Sequence, residues 1–223
     1  MLFSKILDQK DLMKKVHSLD FSDVEMLLYM MVKTIENVEL AAFVNYILHE
    51  KKLKNILVKS ASSTDKYHPK VSRGKYGLLN HTALALLVFD TFISFYSPQQ
   101  KIDDNTKDVC RAGIILHDVW KYTTIKDKES SFTTKEHGFV GAKWIMRYLE
   151  EYKSLNYNID SNLVARVASI VRYHMSNWCH TAEDVKTAQK ESKLEERLVM
   201  LCDFIASNRA LLDYQKVEDD IRK

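Results

Sequence analysis

The chain predicts an all-α protein. Two observations carry that expectation. Only five Gly and two Pro punctuate 223 residues, too few for a turn-rich β architecture. The apolar residues, 46% of the chain, recur at helical spacing and suffice for one sizeable core.

Taken in order, helical pieces are expected over Leu2–His17, over Ser22–Ile35, and around Leu40, Phe43, Val44, Ile47 and Leu48. Ser22 with Glu25 reads as a capping box for the second piece. Together they form an N-terminal helical extension, residues 1–60, ahead of a main domain, residues 61–223. Met26, Met30 and Met31 serve either packing or a homodimer face. Ser60–Tyr76 is loop-like. Helices then follow over Asn80–Tyr96, Thr106–His117, Lys135–Tyr152, Ser161–His174 and Lys193–Leu212. Between them, Tyr122–Thr134 and Met175–Lys193 read as exposed polar loops, the first placed to cover a substrate.

Composition excludes several classes. Cys110, Cys179 and Cys202 lack paired metal spacing and suit a reduced, cytoplasmic setting. Acidic residues interrupt the first eleven positions, so no secretion signal is read. The apolar run Leu27–Val32 is far shorter than the ~20 residues of a spanning helix, and no membrane partner is expected. The net charge of +3 excludes a generally basic nucleic-acid coat. Charge is nevertheless uneven: Lys51, Lys52, Lys54, Lys59, Lys66, Lys70, Arg73 and Lys75 face one acid, Asp65. The stretch is either a solvated face or a phosphate-attracting mouth, and for Arg73 and Lys75, close to His81, the second is preferred.

Chemistry concentrates in Leu116-His117-Asp118-Val119-Trp120-Lys121, where an adjacent His-Asp pair ends an apolar helical run. An imidazole and a carboxylate on consecutive residues can reach one divalent cation, or the carboxylate can bridge two. A buried histidine bonded to its neighbour is the plain alternative. His81 opens a helix on its core side, and Asp203 lies in an apolar run where an unpaired acid is costly. A cation held by His81, His117, Asp118 and Asp203 satisfies all four.

Here the chain resembles the HD-domain phosphohydrolase superfamily, whose signature orders a histidine, a His-Asp pair and a distant aspartate. The resemblance spans Tyr67–Asn208 and rests on Tyr67-His68-Pro69, Gly77-Leu78-Leu79-Asn80-His81-Thr82, His117-Asp118, Lys121, Glu136-His137-Gly138, Tyr173-His174 and Cys202-Asp203. Trp120 stands where many relatives carry glycine. The resemblance implies an HD-type helical bundle and divalent metal, with His137 and His174 as ligands of a second ion beside Asp118. A His-rich, carboxylate-containing set suits Mn²⁺, Fe²⁺, Co²⁺ or Zn²⁺, with Mg²⁺ also open, as one or two ions.

The expected activity is metal-dependent hydrolysis of a phosphoester of a small nucleotide, by a deoxynucleoside monophosphate 5′-nucleotidase or a nucleoside triphosphohydrolase. The alternatives are a phosphodiesterase or 3′-5′ exonuclease on single-stranded nucleic acid, and a non-catalytic metal-containing binding module. Asp118 and Lys121 are the catalytic candidates. His68 joins them as a proton donor, since an ordinary imidazole populates both forms near neutrality. Arg73, Lys75, Lys121 and His180 are the candidate substrate contacts.

Overall fold

A computed structural model describes residues 21–51, 53–64, 68–96 and 102–208. Among these residues there is no strand, only an isolated bridge between Thr123 and Glu129. The helices are α1 (Phe21–Val32), α2 (Val38–His49), α3 (Gly77–Tyr96), α4 (Asp104–Leu116), α5 (His137–Ser154), α6 (Ser161–Tyr173), α7 (Ala182–Lys190) and α8 (Leu194–Ser207). Short 3₁₀ turns lie at Leu53–Val58, Lys70–Ser72 and Ser176–Trp178. The expected helix over Leu2–His17 lies outside the described residues. So do Tyr67 and the stretch beyond Asn208.

Local signals start most of these helices. Asn37, Asp103, Asp160 and Thr181 each accept a backbone N–H from the first turn they precede, satisfying donors that have no partner within the helix. At α8 the Glu196 carboxylate reaches back to the Lys193 N–H at 2.7 Å. Ser22, expected ahead of its helix, stands inside it, because the first turn already includes Phe21.

α4 is the axle of the bundle. Val109, Cys110, Ala112, Ile114, Ile115 and Leu116 have no exposed surface, because α6 and α8 pack against α4 while α2 also meets it. α5 packs along α6, and α3 along α8. The described N-terminal helices join the same core through Val24, Leu28, Leu40, Phe43 and Ile47. By length and composition, the window Gly77–Ser94 of α3 passes for a membrane span, yet 56% of it is buried inside the bundle.

Glycine sets how closely α5 and α6 approach. A Cβ on Gly138 would lie 2.8 Å from the Val171 carbonyl oxygen, and one on Gly141 would lie 2.8 Å from both the Trp120 ring and a Val171 methyl. Trp120, 2% exposed, therefore packs on the bare backbone of Gly141. Gly138→Ala is expected to cost about 1–3 kcal/mol through forced separation of the two helices, read as a lower urea midpoint at unchanged slope.

The segment expected as a loop from Met175 to Lys193 contains α7. Thr181 caps it, and Asp184 and Ala188 turn inward, with the buried Asp184 taking the Arg172 guanidinium at 2.9 Å. Such short helices are fixed by a cap and one ion pair, and their apolar stripe is too brief to show in periodicity.

Candidate metal centre

Three helix ends converge at one point. α4 stops at Leu116 with His117 as its C-cap, α6 stops at Tyr173 with His174 as its C-cap, and α5 begins at His137. From the sides, α3 contributes His81 and α8 contributes Asp203. Helix ends carry backbone groups without intrahelical partners, and the histidines use them. His117 donates Nδ1–H to the Ile114 carbonyl at 2.6 Å, His137 to that of Thr134 at 2.5 Å, and His174 to that of Val171 at 2.7 Å. A carbonyl only accepts, so each Nδ1 carries a proton, and in the neutral ring Nε2 is left with a lone pair aimed inward.

The Nε2 atoms meet in pairs. His137 Nε2 and His174 Nε2 are 3.1 Å apart, as are His81 Nε2 and His117 Nε2. Asp118 lies between the pairs and is 2% exposed. Its Oδ1 is 3.0 Å from His137 and 3.6 Å from His174. Its Oδ2 is 3.3 Å from His117 and 3.6 Å from His81. Asp203 Oδ1 completes the first group, 3.0 Å from His81 Nε2 and 3.8 Å from His117 Nε2.

The donor chemistry fits divalent ions. In the group Asp118, His137 and His174 both histidine protons are committed elsewhere, and Asp118 Oδ1 has no hydrogen-bond partner. Three buried acceptors without a donor repel one another unless a cation lies among them. Nitrogens on neighbouring corners of one coordination sphere, with bonds of about 2.1 Å, stand about 3 Å apart, which matches both histidine pairs. The donor atoms of His81, His117 and Asp118, and those of Asp118, His137 and His174, each fall within 4.8 Å of one another.

Electrostatics prepares these groups for a metal. Burial alone would raise the Asp118 carboxyl, but the Lys121 ammonium and His117 hold it well below the usual carboxylate range. Asp203 is lowered in the same way, against burial, by its bond to His81 and the charge of His117. Burial keeps the His137 imidazole below its ordinary value, against the pull of Asp118. Both acids are anionic and His137 is neutral, as metal ligation requires.

Around this centre the expected residues take different places. Lys121 Nζ sits 2.5 Å from Asp118 Oδ2. The His68 ring stands edge-on to His81, centroids 5.4 Å apart, in a loop that Arg73 holds by donating to the His68 carbonyl at 2.9 and 2.7 Å. Burial first, then the charge of His81, lowers His68 to about 4. That corrects the expectation of two populated forms near neutrality: the ring is neutral there. Arg73 is thus engaged in shaping the loop, Lys75 lies over the Tyr76 ring at 4.7 Å, and His180 lies against Phe139 at 5.4 Å. Within the basic stretch, Lys51 pairs with Glu151, Lys54 with Glu25 and Lys59 with Glu129. Sequence reasoning missed Ser207, whose hydroxyl lies 3.3 Å from Asp203 Oδ1 and 3.5 Å from His68 Nε2. Its only signal is a place one helical turn after Asp203.

Residues 96–208 match the HD domain family model. That span holds His117, Asp118, His137, His174 and Asp203, while His81 precedes it and is brought in by the fold. Neither the curated proteins nor the solved structures give a match. The family match covers half of the chain and coincides with the convergent His/Asp groups, so the chain belongs to the HD-domain family, a superfamily of metal-dependent phosphohydrolases.

Proposed function

We propose that the chain hydrolyses a phosphoester of a small nucleotide, a deoxynucleoside monophosphate or a nucleoside triphosphate, with His81, His117, Asp118 and Asp203 holding one divalent ion and Asp118, His137 and His174 a second. The observation that carries this reading is the bifacial placement of Asp118, one oxygen toward each histidine pair. Divalent ions bound there supply Lewis acidity toward a phosphoryl oxygen and lower the pKa of water.

The chain's own groups do the rest. Lys121 balances Asp118 and offers its remaining ammonium protons to a phosphoryl oxygen entering beside it, stabilising charge that grows as the ester bond breaks. The three Nδ1–H bonds to backbone carbonyls hold the imidazoles so that the site does not reorganise as charge develops. His68, neutral, presents a ring beside His81 and hydrogen-bonds rather than acting as a cationic acid. A small substrate is favoured because the net charge is only +3 and acids take up Lys51, Lys54 and Lys59 among the described residues.

A phosphatase panel across Mn²⁺, Co²⁺, Zn²⁺ and Mg²⁺ tests the assignment. Phosphate release from deoxynucleoside monophosphates or triphosphates, weakly sensitive to salt, is expected. Cleavage of single strands alone, falling steeply with salt, defeats it.

A pH dependence follows from His117. Burial would depress its imidazole, but Asp118 and Asp203 outweigh burial and raise it. A raised imidazole pKa gives stability that is complete below the ordinary value of ~6.5 and is lost as pH rises through the folded value. A metal competes with that proton. Mn²⁺ is therefore expected to raise Tm more at pH 8 than at pH 6, and equal shifts would remove His117 from the ligand set.

A further inference from the structure

We infer that Trp178, with Lys135, forms a nucleobase subsite at the rim of the His137–His174 pair, an inference that rests on the nucleotide reading above. Three tryptophans occur in the chain. Trp120 is buried and Trp144 packs partly against the core, whereas the Trp178 indole is 65% exposed. Packing gives no reason for so open an aromatic surface.

Its position does. The turn Ser176–Trp178 begins two positions after His174, so Trp178 lies four positions along the chain from it, a backbone span of at most about 14 Å that the turn shortens. The turn is closed by Trp178 N–H on the Met175 carbonyl at 3.0 Å, and Ser176 within it holds φ of 48°, a conformation that non-glycine residues adopt at a cost and that clusters at functional sites.

The other wall comes from the segment entering α5. Thr134 donates its N–H to the Lys121 carbonyl at 2.9 Å and accepts the His137 Nδ1–H, so it is pinned between two residues of the centre. Lys135, next along, places its ammonium 5.6 Å from the Trp178 ring centroid. Phe132, three residues earlier in the chain, is 69% exposed. An open indole presents the π-face on which any base stacks, and a lysine beside it adds positive charge for the phosphate of the same ligand. Phosphate at the His/Asp centre and base on the rim is the polarity that one nucleotide has.

The test titrates Mn²⁺-loaded protein with deoxyadenosine 5′-monophosphate and, separately, with deoxyribose 5-phosphate, reading tryptophan fluorescence and calorimetric Kd, and then measures phosphate release from both. In the wild type we expect saturable quenching by the nucleotide and none by the sugar phosphate, with kcat/KM favouring the nucleotide. Trp178→Ala should weaken nucleotide binding about ten-fold or more, the size of a stacking contact, and bring the two kcat/KM values together. Trp178→Phe should lose the quench yet keep most of the affinity. Circular dichroism checks that both variants fold, as an exposed side chain allows. Nucleotide binding by Trp178→Ala as tight as the wild type overturns the subsite, as does equal kcat/KM for the two wild-type substrates. Trp178-dependent quenching without phosphate release from any substrate leaves the subsite standing and removes the hydrolase reading instead.

Discussion

Asp118→Asn is expected to abolish phosphate release, by about 10³-fold or more, and to strip the protein of at least one metal equivalent. The size follows from the position of the residue. Each carboxylate oxygen faces a different histidine pair, at 3.0 Å from His137 and 3.3 Å from His117, and an amide offers a single weak oxygen in place of two anionic ones. Losing metal-centred charge stabilisation of ~4 kcal/mol corresponds to three decades in rate. Metal content measured by mass spectrometry, together with the Tm gained on adding Mn²⁺, separates this loss from misfolding. A variant that retains two metal equivalents and wild-type turnover excludes Asp118 as the shared ligand. Asp203→Asn should fall short of this effect, because its carboxylate faces only the His81–His117 pair.

Asp108→Ala is expected to lower unfolding free energy by about 2–4 kcal/mol, the range for removing a carboxylate that accepts charge-assisted hydrogen bonds, and Tm by on the order of 10 °C. Asp108 is 3% exposed. Its oxygens accept the Glu36 N–H at 3.0 Å and the Asn37 N–H at 2.7 Å, and Arg111 donates to it at 3.3 Å. Asn37 is in turn the cap of α2. One carboxylate on α4 thus fixes the start of a helix some seventy residues earlier, and its removal leaves the Glu36 and Asn37 N–H groups short of an acceptor, while Arg111 keeps Asp90 at 3.2 Å. Asp108→Asn keeps one acceptor and should lose less. A cost below 1 kcal/mol for the alanine variant, from thermal and urea unfolding together, means that water replaces the lost bonds.

The helical class was legible because apolar residues repeat along one face over many turns. α4 shows why: Val109, Cys110, Gly113, Ile114 and His117 share a stripe, and the stripe is buried. The convergence of His81, His117, Asp118, His137, His174 and Asp203 was legible because each ends or interrupts such a stripe with a polar side chain that only a partner can compensate. What the pattern did not carry is pairing across distance. The lysines at positions 51, 54 and 59 look like a free cationic run, yet their acids come from Glu151, Glu25 and Glu129. Asp108 likewise reads as an ordinary polar position on a helix, and its partners are chosen by tertiary packing. His68 shifts with burial, which no local string reports.

The imidazoles at the helix ends have a thermodynamic corollary. A ring tethered to the carbonyl three residues back, within its own turn, has surrendered its rotational freedom when the chain folds, before any ion arrives. His81 is different: it sits inside α3 and its Nδ1 is buried without a bond. Ion capture should therefore be calorimetrically lopsided, nearly free of ordering entropy at the site of His137 and His174, and carrying an entropic penalty where His81 must settle.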